Sequence, residues 1–336
     1  MASKAVEMFP KEKTVFYLDW GRTALKAVIE LESLRGSTVI LPAFVCQDSF
    51  EPIFDAYDLT PRFVDVTLPS FHMDTEEARS YLPDVSALIY VHAFGLPGDV
   101  QDLATACDRH DVVLIEDCAR AAGARTDDGP VGRAGSHAIY SLSKTTPLSM
   151  GGVLATEASE EELDFQPPSY DARALYNALP ATVREQLEVT YPLETQGRRL
   201  DPLCRLVFQR FVRYNFEERR RNLRRRFEYL QEQLEPVGFS LQPDFDGRVY
   251  PTAPTIPSCD RDGLHHYLTS KHVPAKVAWG HPWAKSIVGA GFESEFPNAS
   301  MLADRLLHVL VEKIDDEQLS EATDHIRWYA EEFGAE

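Results

Sequence analysis

Short apolar runs alternate with helix-length segments from about residue 20 to residue 156. Within each run, apolar residues follow one another without polar alternation, which is typical of strands buried on both faces of a sheet. The runs are Thr38–Leu41, Arg62–Val66, Ala87–His92, Val112–Glu116 and His137–Leu142. This order predicts an α/β fold with a mostly parallel sheet wrapped by helices. In such sheets, ligands bind beyond the carboxyl ends of the strands.

A helix precedes these runs and a different pattern follows them. Arg22–Leu34 has apolar residues at helical spacing, and Gly36 follows as a stop signal. From about residue 157 the chain is irregular, and then a long charged helix is predicted over residues 208–234. We therefore predict a large domain over residues 1–200 and a small α+β domain over residues 201–336. The small domain has strand candidates Arg248–Tyr250 and Val273–Val277, and helix candidates Asp262–Lys271, Ser300–Val311 and Asp316–Phe333.

The charge balance argues against several classes of partner. The 336 residues include 53 acidic and 34 basic side chains, for a net charge of −19. Such a charge repels nucleic acid and anionic membranes. Dense carboxylates also suit a high-salt cytoplasm, so a halophilic source is predicted. The alternative is an ordinary acidic surface that keeps the protein in solution. The basic run Arg219–Arg226 is interpreted as a solvated or salt-bridged helix face.

Location and metal content are predicted from what the sequence lacks. No apolar run approaches the roughly 18 to 20 residues that span a bilayer, and the first residues lack the layout of a secretory signal. A cytoplasmic protein is therefore expected. Five scattered cysteines without a CxxC pair argue against a disulfide framework and a zinc ribbon, and no metal site is predicted.

Asp117 is the first candidate site residue, because it ends an apolar run. A carboxylate with a buried strand behind it is costly unless a cation pairs with it. A protonated pyridine nitrogen is one such cation. The alternative is that Asp117 caps the following turn.

Lys144, one of nine lysines, follows the last apolar run and precedes Gly151-Gly152. A desolvated lysine has a lowered pKa and can attack an aldehyde to form a Schiff base. The alternative is an exposed loop lysine. Ser141 and Lys144 also form an SxxK motif, as in serine β-lactamases, but the SDN and KTG partner motifs are missing from the sequence.

The segment Gly21–Leu25 begins the first predicted helix. Free N–H groups at a helix N-terminus, together with the Arg22 charge and the Thr23 hydroxyl, suit a phosphate. The alternative is a helix start that binds nothing.

These segments, in this order, resemble the DegT/DnrJ/StrS-type sugar-nucleotide aminotransferases, which are pyridoxal 5′-phosphate (PLP) enzymes of fold type I. The resemblance is best over residues 20–156 and resumes more weakly in the last eighty residues. The matching segments are Gly21–Leu25, Leu41–Cys46, Pro61–Val66, Val91–Val100, Ile115–Ala124, Val131-Gly132, Tyr140–Lys144, Gly151-Gly152, Arg261–Leu268 and Phe296–Leu307.

The resemblance implies a role for each matching residue. Lys144 would form the internal aldimine and move the proton, and Asp117 would pair with the pyridine nitrogen. Arg22, Thr23 and Ser141 would hold the cofactor phosphate. The resemblance also implies a homodimer whose active sites are completed by the neighbouring subunit.

Departures from the family pattern affect the expected site, and one is a stretch between Ser141 and Lys144 that is shorter than in the family. Arg120 stands where the family usually has a glutamine that contacts the phenolic oxygen of PLP; a guanidinium still donates to a phenolate, but changes its electronics. Cys46 occupies the position that usually supplies a stacked aromatic ring. The Gly-x-Asn-x-Arg-like segment that reaches the partner's phosphate is not found, and Asn177 and Asn215 are candidate replacements.

The resemblance and these departures leave three possible functions. The first is an aminotransferase that takes an amino group from glutamate or glutamine and passes it to a nucleotide-linked keto sugar. The second is another PLP-dependent reaction such as dehydration, although the family's dehydratases have histidine in place of the lysine. The third is a scaffold or regulator that keeps the fold without catalysis.

Overall fold

The structure is a computed structural model that describes residues 8–146, 151–159, 162, 216–239 and 254–334. The predicted domain boundary near residue 200 and the strand candidate Arg248–Tyr250 lie outside these residues. Of the long helix predicted over residues 208–234, the described part is Phe216–Leu234.

A seven-stranded sheet forms the centre of the first 156 residues, with the strand order β1-β9-β8-β5-β4-β2-β3. Its strands are β1 Thr14–Leu18, β2 Thr38–Pro42, β3 Thr60–Val64, β4 Ala87–Val91, β5 Val113–Asp117, β8 His137–Ser141 and β9 Gly152–Thr156. A two-stranded hairpin, β6 Arg125–Thr126 and β7 Gly129–Pro130, lies outside this sheet. All five apolar runs therefore form strands, as predicted, whereas β1 and β9 were not anticipated.

Most strand pairs are parallel. The pairs β2–β3, β2–β4, β4–β5 and β5–β8 are parallel, whereas β9 runs antiparallel to both of its neighbours, β8 and β1. Alternate residues of β4 belong to different cores: Ile89 packs in one apolar cluster and Tyr90 in another. The predicted mostly parallel α/β sheet, buried on both faces, is thereby confirmed.

Helices connect and cover the strands. They are α1 Gly21–Leu31, α2 Gln47–Ala56, α3 Thr75–Tyr81, α4 Gln101–Arg109 and α5 Leu142–Thr145, with short 3₁₀ turns at Leu82–Asp84 and Ala93–Gly95. Helix α1 starts three residues after β1 and packs apolar residues, including Ala24 and Val28, against the sheet. The strand-to-helix turns place the helix N-termini near the carboxyl ends of the strands.

The C-terminal part of the chain forms a second, smaller sheet with the order β10-β12-β11, all antiparallel. Its strands are β10 Thr255–Pro257, β11 Ala275–Val277 and β12 Leu306–Val309. Its helices are α6 Phe216–Leu234, α7 Arg261–Ser270, α8 Trp283–Val288, α9 Phe292–Glu295, α10 Pro297–Arg305 and α11 Asp316–Phe333. Short 3₁₀ turns lie at Glu235–Val237, Gly289–Gly291 and Val311–Lys313.

One predicted helix is wrong in its second half. The sequence predicts a helix over Ser300–Val311, but α10 ends at Arg305 and the next four residues form β12. All four are buried because β12 is the central strand of the small sheet. A short apolar segment fits a buried helix and a buried strand equally well, so periodicity alone did not separate them.

The arginine-rich part of α6 faces the last helix. Arg225 and Arg226 both bind Asp316, with N–O distances of 2.8 and 3.1 Å, and Arg224 binds Glu228 at 2.7 Å. The predicted salt-bridged helix face is therefore confirmed. Among the helices that the structure describes, none has the length and apolarity needed to cross a membrane.

Candidate active site

Asp117 and Lys144 leave the sheet at the same edge. Strands β5 and β8 are parallel neighbours, with Asp117 opposite Ile139. Asp117 is the last residue of β5, whereas β8 ends at Ser141 and continues directly into the short helix α5, which carries Lys144. Parallel strands end on the same side of a sheet, so both side chains reach one site.

A cavity of about 290 Å³ lies at this edge of the sheet. Four predicted site residues line it: Arg22, Asp117, Ser141 and Lys144. The other lining residues are Trp20, Gly21, Leu25, Asp48, Ser49, Phe50, Ala119, Ile139 and Ser143. The cavity is thus formed by the start of α1, the start of α2 and the ends of β5 and β8.

Two glycines allow the start of α1 to approach the sheet. A Cβ on Gly152 would lie 2.1 Å from the backbone C and O of Trp20, so no other residue fits beside that segment. Gly151 has a φ of +126°, which L side chains rarely adopt. The Gly151-Gly152 pair noted in the sequence therefore brings β9 against the residues that begin α1.

The Asp117 carboxylate is partly buried and accepts a hydrogen bond of 2.8 Å from the N–H of Ala119. Burial raises the pKa of Asp117, although the charge of Lys144, the Ala119 N–H, His92 and Arg120 oppose this. Asp117 therefore does cap the following turn, through its hydrogen bond with Ala119. It does not exclude a ligand, because a raised pKa shows that the carboxylate would gain from a further cation.

Lys144 is exposed to the cavity, but the protein around its amine still excludes much of the solvent. This desolvation and then the charge of Arg120 lower the pKa of Lys144, while Asp117 and Cys46 oppose the shift. A lysine with a lowered pKa is a better nucleophile at neutral pH.

One end of the cavity suits an anion. Arg22 lies in the first turn of α1, and its guanidinium donates a hydrogen bond of 3.2 Å to the carbonyl of Asp48. The hydroxyls of Ser141 and Ser143 lie 3.3 Å apart, and both residues line the cavity. Ser143 was not anticipated from the sequence, although its place between Ser141 and Lys144 is the signal that would have indicated it.

Thr23 takes a different position from the one expected. Its side chain is fully buried, does not line the cavity, and donates a hydrogen bond of 2.6 Å to Asp19. The structure therefore does not support a direct phosphate contact for the Thr23 hydroxyl. The hydroxyl instead ties the first turn of α1 to the residue that follows β1.

Cys46 and Arg120 lie next to the cavity and not in its lining. Cys46 is the N-cap of α2 and is half-buried, and its neighbours Asp48 and Ser49 line the cavity. The Arg120 guanidinium carbon lies 5.9 Å from the ring centroid of Phe94. Both residues act electrostatically on Lys144.

His92 and Glu116 form a buried hydrogen-bond network behind the site. His92 Nδ1 accepts from the N–H of Gly98 at 3.0 Å, so Nε2 carries the proton and donates to Glu116 at 2.9 Å. Glu116 also accepts from the N–H groups of Gly135 at 2.8 Å and Gly132 at 3.1 Å. These contacts give His92 a structural role. No pattern in the sequence indicates the role of Glu116.

The sequence of the chain matches one known protein family along most of its length. The DegT/DnrJ/EryC1/StrS aminotransferase family matches residues 5–327. The protein belongs to this family. The match covers both sheets and the cavity between the ends of the strands.

Individual relatives agree with this assignment. The chain is 30% identical to GDP-perosamine synthase of Vibrio cholerae over 154 residues, which is 45% of this chain and 42% of that protein. It is 28% identical to L-glutamine:2-deoxy-scyllo-inosose aminotransferase of Streptoalloteichus tenebrarius over 221 residues, 64% and 52% of the two chains. The matched part thus spans about half of these curated relatives or less. A family aminotransferase from Brucella abortus has the same fold, with a TM-score of 0.74 and 20% identity over 94% of this chain and 86% of that one.

The residues of the cavity fit PLP, the cofactor of this family. Arg22, Ser141 and Ser143 suit its phosphate, because they bring a positive charge and two hydroxyls to one end. Asp117 suits the ring nitrogen, since burial has raised its pKa in spite of the charge of Lys144. The Lys144 amine suits the aldehyde.

Proposed function

We propose that the protein is a PLP-dependent aminotransferase that moves an amino group from an amino-acid donor to a keto acceptor. One observation carries this proposal: Lys144 and Asp117, from the ends of neighbouring strands, line the same cavity. A carboxylate and a nucleophilic amine in one cavity provide partners for both a ring nitrogen and an aldehyde.

Each residue has a proposed task. When bound, PLP supplies an aldehyde that exchanges amines and a ring that withdraws electrons from the bond being broken. Lys144 holds the cofactor covalently and then moves a proton to and from the substrate carbon with its freed amine. Asp117 keeps the ring nitrogen protonated. Arg22, Ser141 and Ser143 bind the phosphate, and Arg120 lies beside the amine.

The substrates are proposed from the relatives. GDP-perosamine synthase is named for a nucleotide-linked amino sugar. L-glutamine:2-deoxy-scyllo-inosose aminotransferase is named for L-glutamine and for a sugar-like acceptor of the amino group. We propose a nucleotide-linked keto sugar as the acceptor, and glutamate or glutamine as the donor. The homodimer with shared active sites and the cytoplasmic location stay predictions.

Half-reactions test the proposed activity. The protein is loaded with PLP, freed of excess cofactor and mixed with L-glutamate or L-glutamine, while the visible absorbance band of the cofactor is followed. We expect the band to be lost with at least one donor and restored by a keto acceptor. The matched variants are Lys144→Ala, which should show no donor-dependent change, and Lys285→Ala, whose side chain pairs with Asp304 on the surface and which should behave like the wild type. A wild-type protein that binds PLP but responds to no donor would contradict transamination.

A further inference from the structure

Two tryptophans of the C-terminal part of the chain pack on the loop that leads from β2 into α2. The Trp279 ring lies 5.2 Å from the ring of Phe44, at an interplanar angle of 66°. The N–H of Trp283 donates a hydrogen bond of 3.3 Å to the carbonyl of Val45. Two consecutive residues of this loop are therefore held by residues that lie far away in the sequence.

Trp283 also holds the helix that follows the loop. Its side chain is buried, and its ring meets two other rings nearly edge-on, Phe54 at 4.9 Å and Phe63 at 5.4 Å. Phe54 belongs to α2 and Phe63 to the edge strand β3. Edge-to-face ring pairs stabilise a contact beyond the apolar area that they bury. Because Val45 lies just before α2 and Phe54 near its end, Trp283 fixes the helix close to both of its termini.

The backbone of Trp279 is strained. Its φ is +44°, in the left-handed region, which a bulky residue adopts only where the surrounding structure imposes it. Phe94, whose ring lies 4.8 Å from the Trp279 ring, has a φ of +52°. Strain of this kind is concentrated where an exact position matters for function. The contact between these two aromatic residues is thus kept at a cost in backbone energy.

A polar contact joins the same two parts of the chain. Ser286 Oγ donates a hydrogen bond of 2.8 Å to Oε1 of Gln47, and Nε2 of Gln47 donates one of 2.8 Å to Glu51. Gln47 is the first residue of α2 and directly follows its N-cap, Cys46. The first turn of α2 is therefore tied to helix α8 by a side-chain contact as well.

This turn forms one wall of the cofactor cavity. Asp48, Ser49 and Phe50 all line the cavity, and the carbonyl of Asp48 accepts the hydrogen bond from Arg22. The two tryptophans do not line the cavity. They reach it only through the loop and α2.

We propose that Trp279 and Trp283 are positioning residues for the cofactor cavity: they hold the loop Phe44–Cys46, and the loop holds the turn of α2 that forms the wall. Docking of the C-terminal part and binding of PLP then stabilise each other, because two events that favour the same arrangement are thermodynamically linked. This inference rests on the proposed function only in taking PLP as the ligand of the cavity.

The thiol of Cys46 reports on the loop without any cofactor. Cys46 is half-buried, whereas Cys107 is buried within α4 and Cys259 is exposed. The full-length protein is labelled with iodoacetamide, and mass spectrometry gives the labelling rate of each cysteine peptide. We expect Trp279→Leu and Trp283→Leu to speed the labelling of Cys46 about tenfold relative to Cys259, while Cys107 stays unlabelled.

PLP titration of the same variants is the second readout. The affinity should fall about tenfold in both, although neither residue lines the cavity. Trp283→Phe keeps an aromatic ring beside Phe54 and Phe63 and should restore most of the affinity. The matched control Trp328→Leu removes an exposed tryptophan of α11 and should leave both the labelling rate and the affinity unchanged.

Ser286→Ala decides the question if the tryptophan variants cannot be purified in folded form. It removes only the hydrogen bond to Gln47 and should speed the labelling of Cys46 about two- to fivefold. An unchanged rate at Cys46 in the folded variants would overturn the positioning role. Equal acceleration at Cys46 and Cys107 would overturn it too, because the tryptophans would then support only the overall stability.

Hydrogen exchange of the wild type tests the reciprocal effect. The peptide that contains Trp283 should exchange its amide hydrogens more slowly once PLP is bound, and an unchanged rate would contradict the coupling. A wild-type protein that binds no PLP would remove the proposed function. The labelling rates of Cys46 need no cofactor and would still decide the positioning role, so the two failures are distinguishable.

Discussion

The charges of Asp117 and Lys144 each offset the burial of the other. Burial raises the pKa of Asp117 and the charge of Lys144 lowers it, while the surrounding protein and Arg120 lower the pKa of Lys144 and Asp117 raises it. Neither group is fully satisfied by this arrangement, since desolvation remains the largest effect on both. The two side chains are therefore poised for a ligand that has a basic ring nitrogen and an electrophilic carbon.

Asp117→Asn should weaken both cofactor binding and turnover. The neutral amide no longer stabilises a protonated ring nitrogen, and a buried charge pair that loses one partner costs about 3 kcal/mol or more, or roughly 100-fold. Titration of the apoprotein with PLP and the rate of the donor half-reaction measure the two effects. The control Asp108→Asn changes an exposed residue of α4 and should leave PLP affinity and the half-reaction rate unchanged. Equal affinity and rate in Asp117→Asn and the wild type would contradict the assigned role.

Ser141→Ala and Thr23→Val should separate cofactor binding from stability. Ser141 lines the cavity, so removing its hydroxyl should weaken PLP affinity about ten- to hundredfold, the value of one hydrogen bond to a charged group. Thr23 binds Asp19 instead, so Thr23→Val should lower the free energy of unfolding by about 1 kcal/mol with PLP affinity nearly unchanged. Urea unfolding and PLP titration of both variants check this. The reverse pattern would show that Thr23 is the phosphate ligand.

Glu116→Gln should destabilise the fold in a pH-dependent manner. Burial by itself raises the pKa of Glu116, but hydrogen bonds from His92 and the Gly135 N–H, with the charge of Lys13, bring it below the usual value. A depressed carboxyl pKa contributes stability above the unfolded-state pKa of about 4.3, and this contribution is lost as the pH falls through the folded-state pKa. We expect a loss of about 2 to 4 kcal/mol at pH 7.

Urea unfolding at pH 7 and at pH values below about 4 measures this difference. The gap between Glu116→Gln and the wild type should shrink as the pH falls. Glu321→Gln, on the exposed side of α11, should stay within about 0.5 kcal/mol of the wild type at each pH. A gap that is the same at every pH would show that Glu116 contributes by shape and not by charge.

The sequence predicted strands β2, β3, β4, β5 and β8 of the large sheet because they form continuous apolar runs. Such strands, β4 for example, are continuous apolar runs that stand out from the helices between them. Strand β1 was missed because it directly follows Lys13 and has half-buried residues, so it does not form a continuous buried apolar run. Strand β12 was read as helix, because its partners β10 and β11 come from distant parts of the chain and only tertiary contacts decide its form.

The site was predictable where a residue's role follows from its place at a strand end. Asp117, Ser141 and Lys144 end neighbouring strands or follow them directly, and all three line the cavity. The orientation of Thr23 was not predictable, since it depends on whether the hydroxyl turns towards Asp19 or the cavity. The contacts of Phe94 with His308 and Arg120 join residues more than two hundred positions apart in the case of His308, which no local pattern indicates.

Chemical trapping of the cofactor on Lys144 tests the central claim most directly. The protein is incubated with PLP, reduced with sodium borohydride and digested, and the labelled peptides are identified by mass spectrometry. We expect the pyridoxyl phosphate label on Lys144 at near-stoichiometric yield, and its loss in Lys144→Ala but not in Lys285→Ala. A label distributed over other lysines, or an unlabelled Lys144 in a protein that retains PLP, would contradict the account.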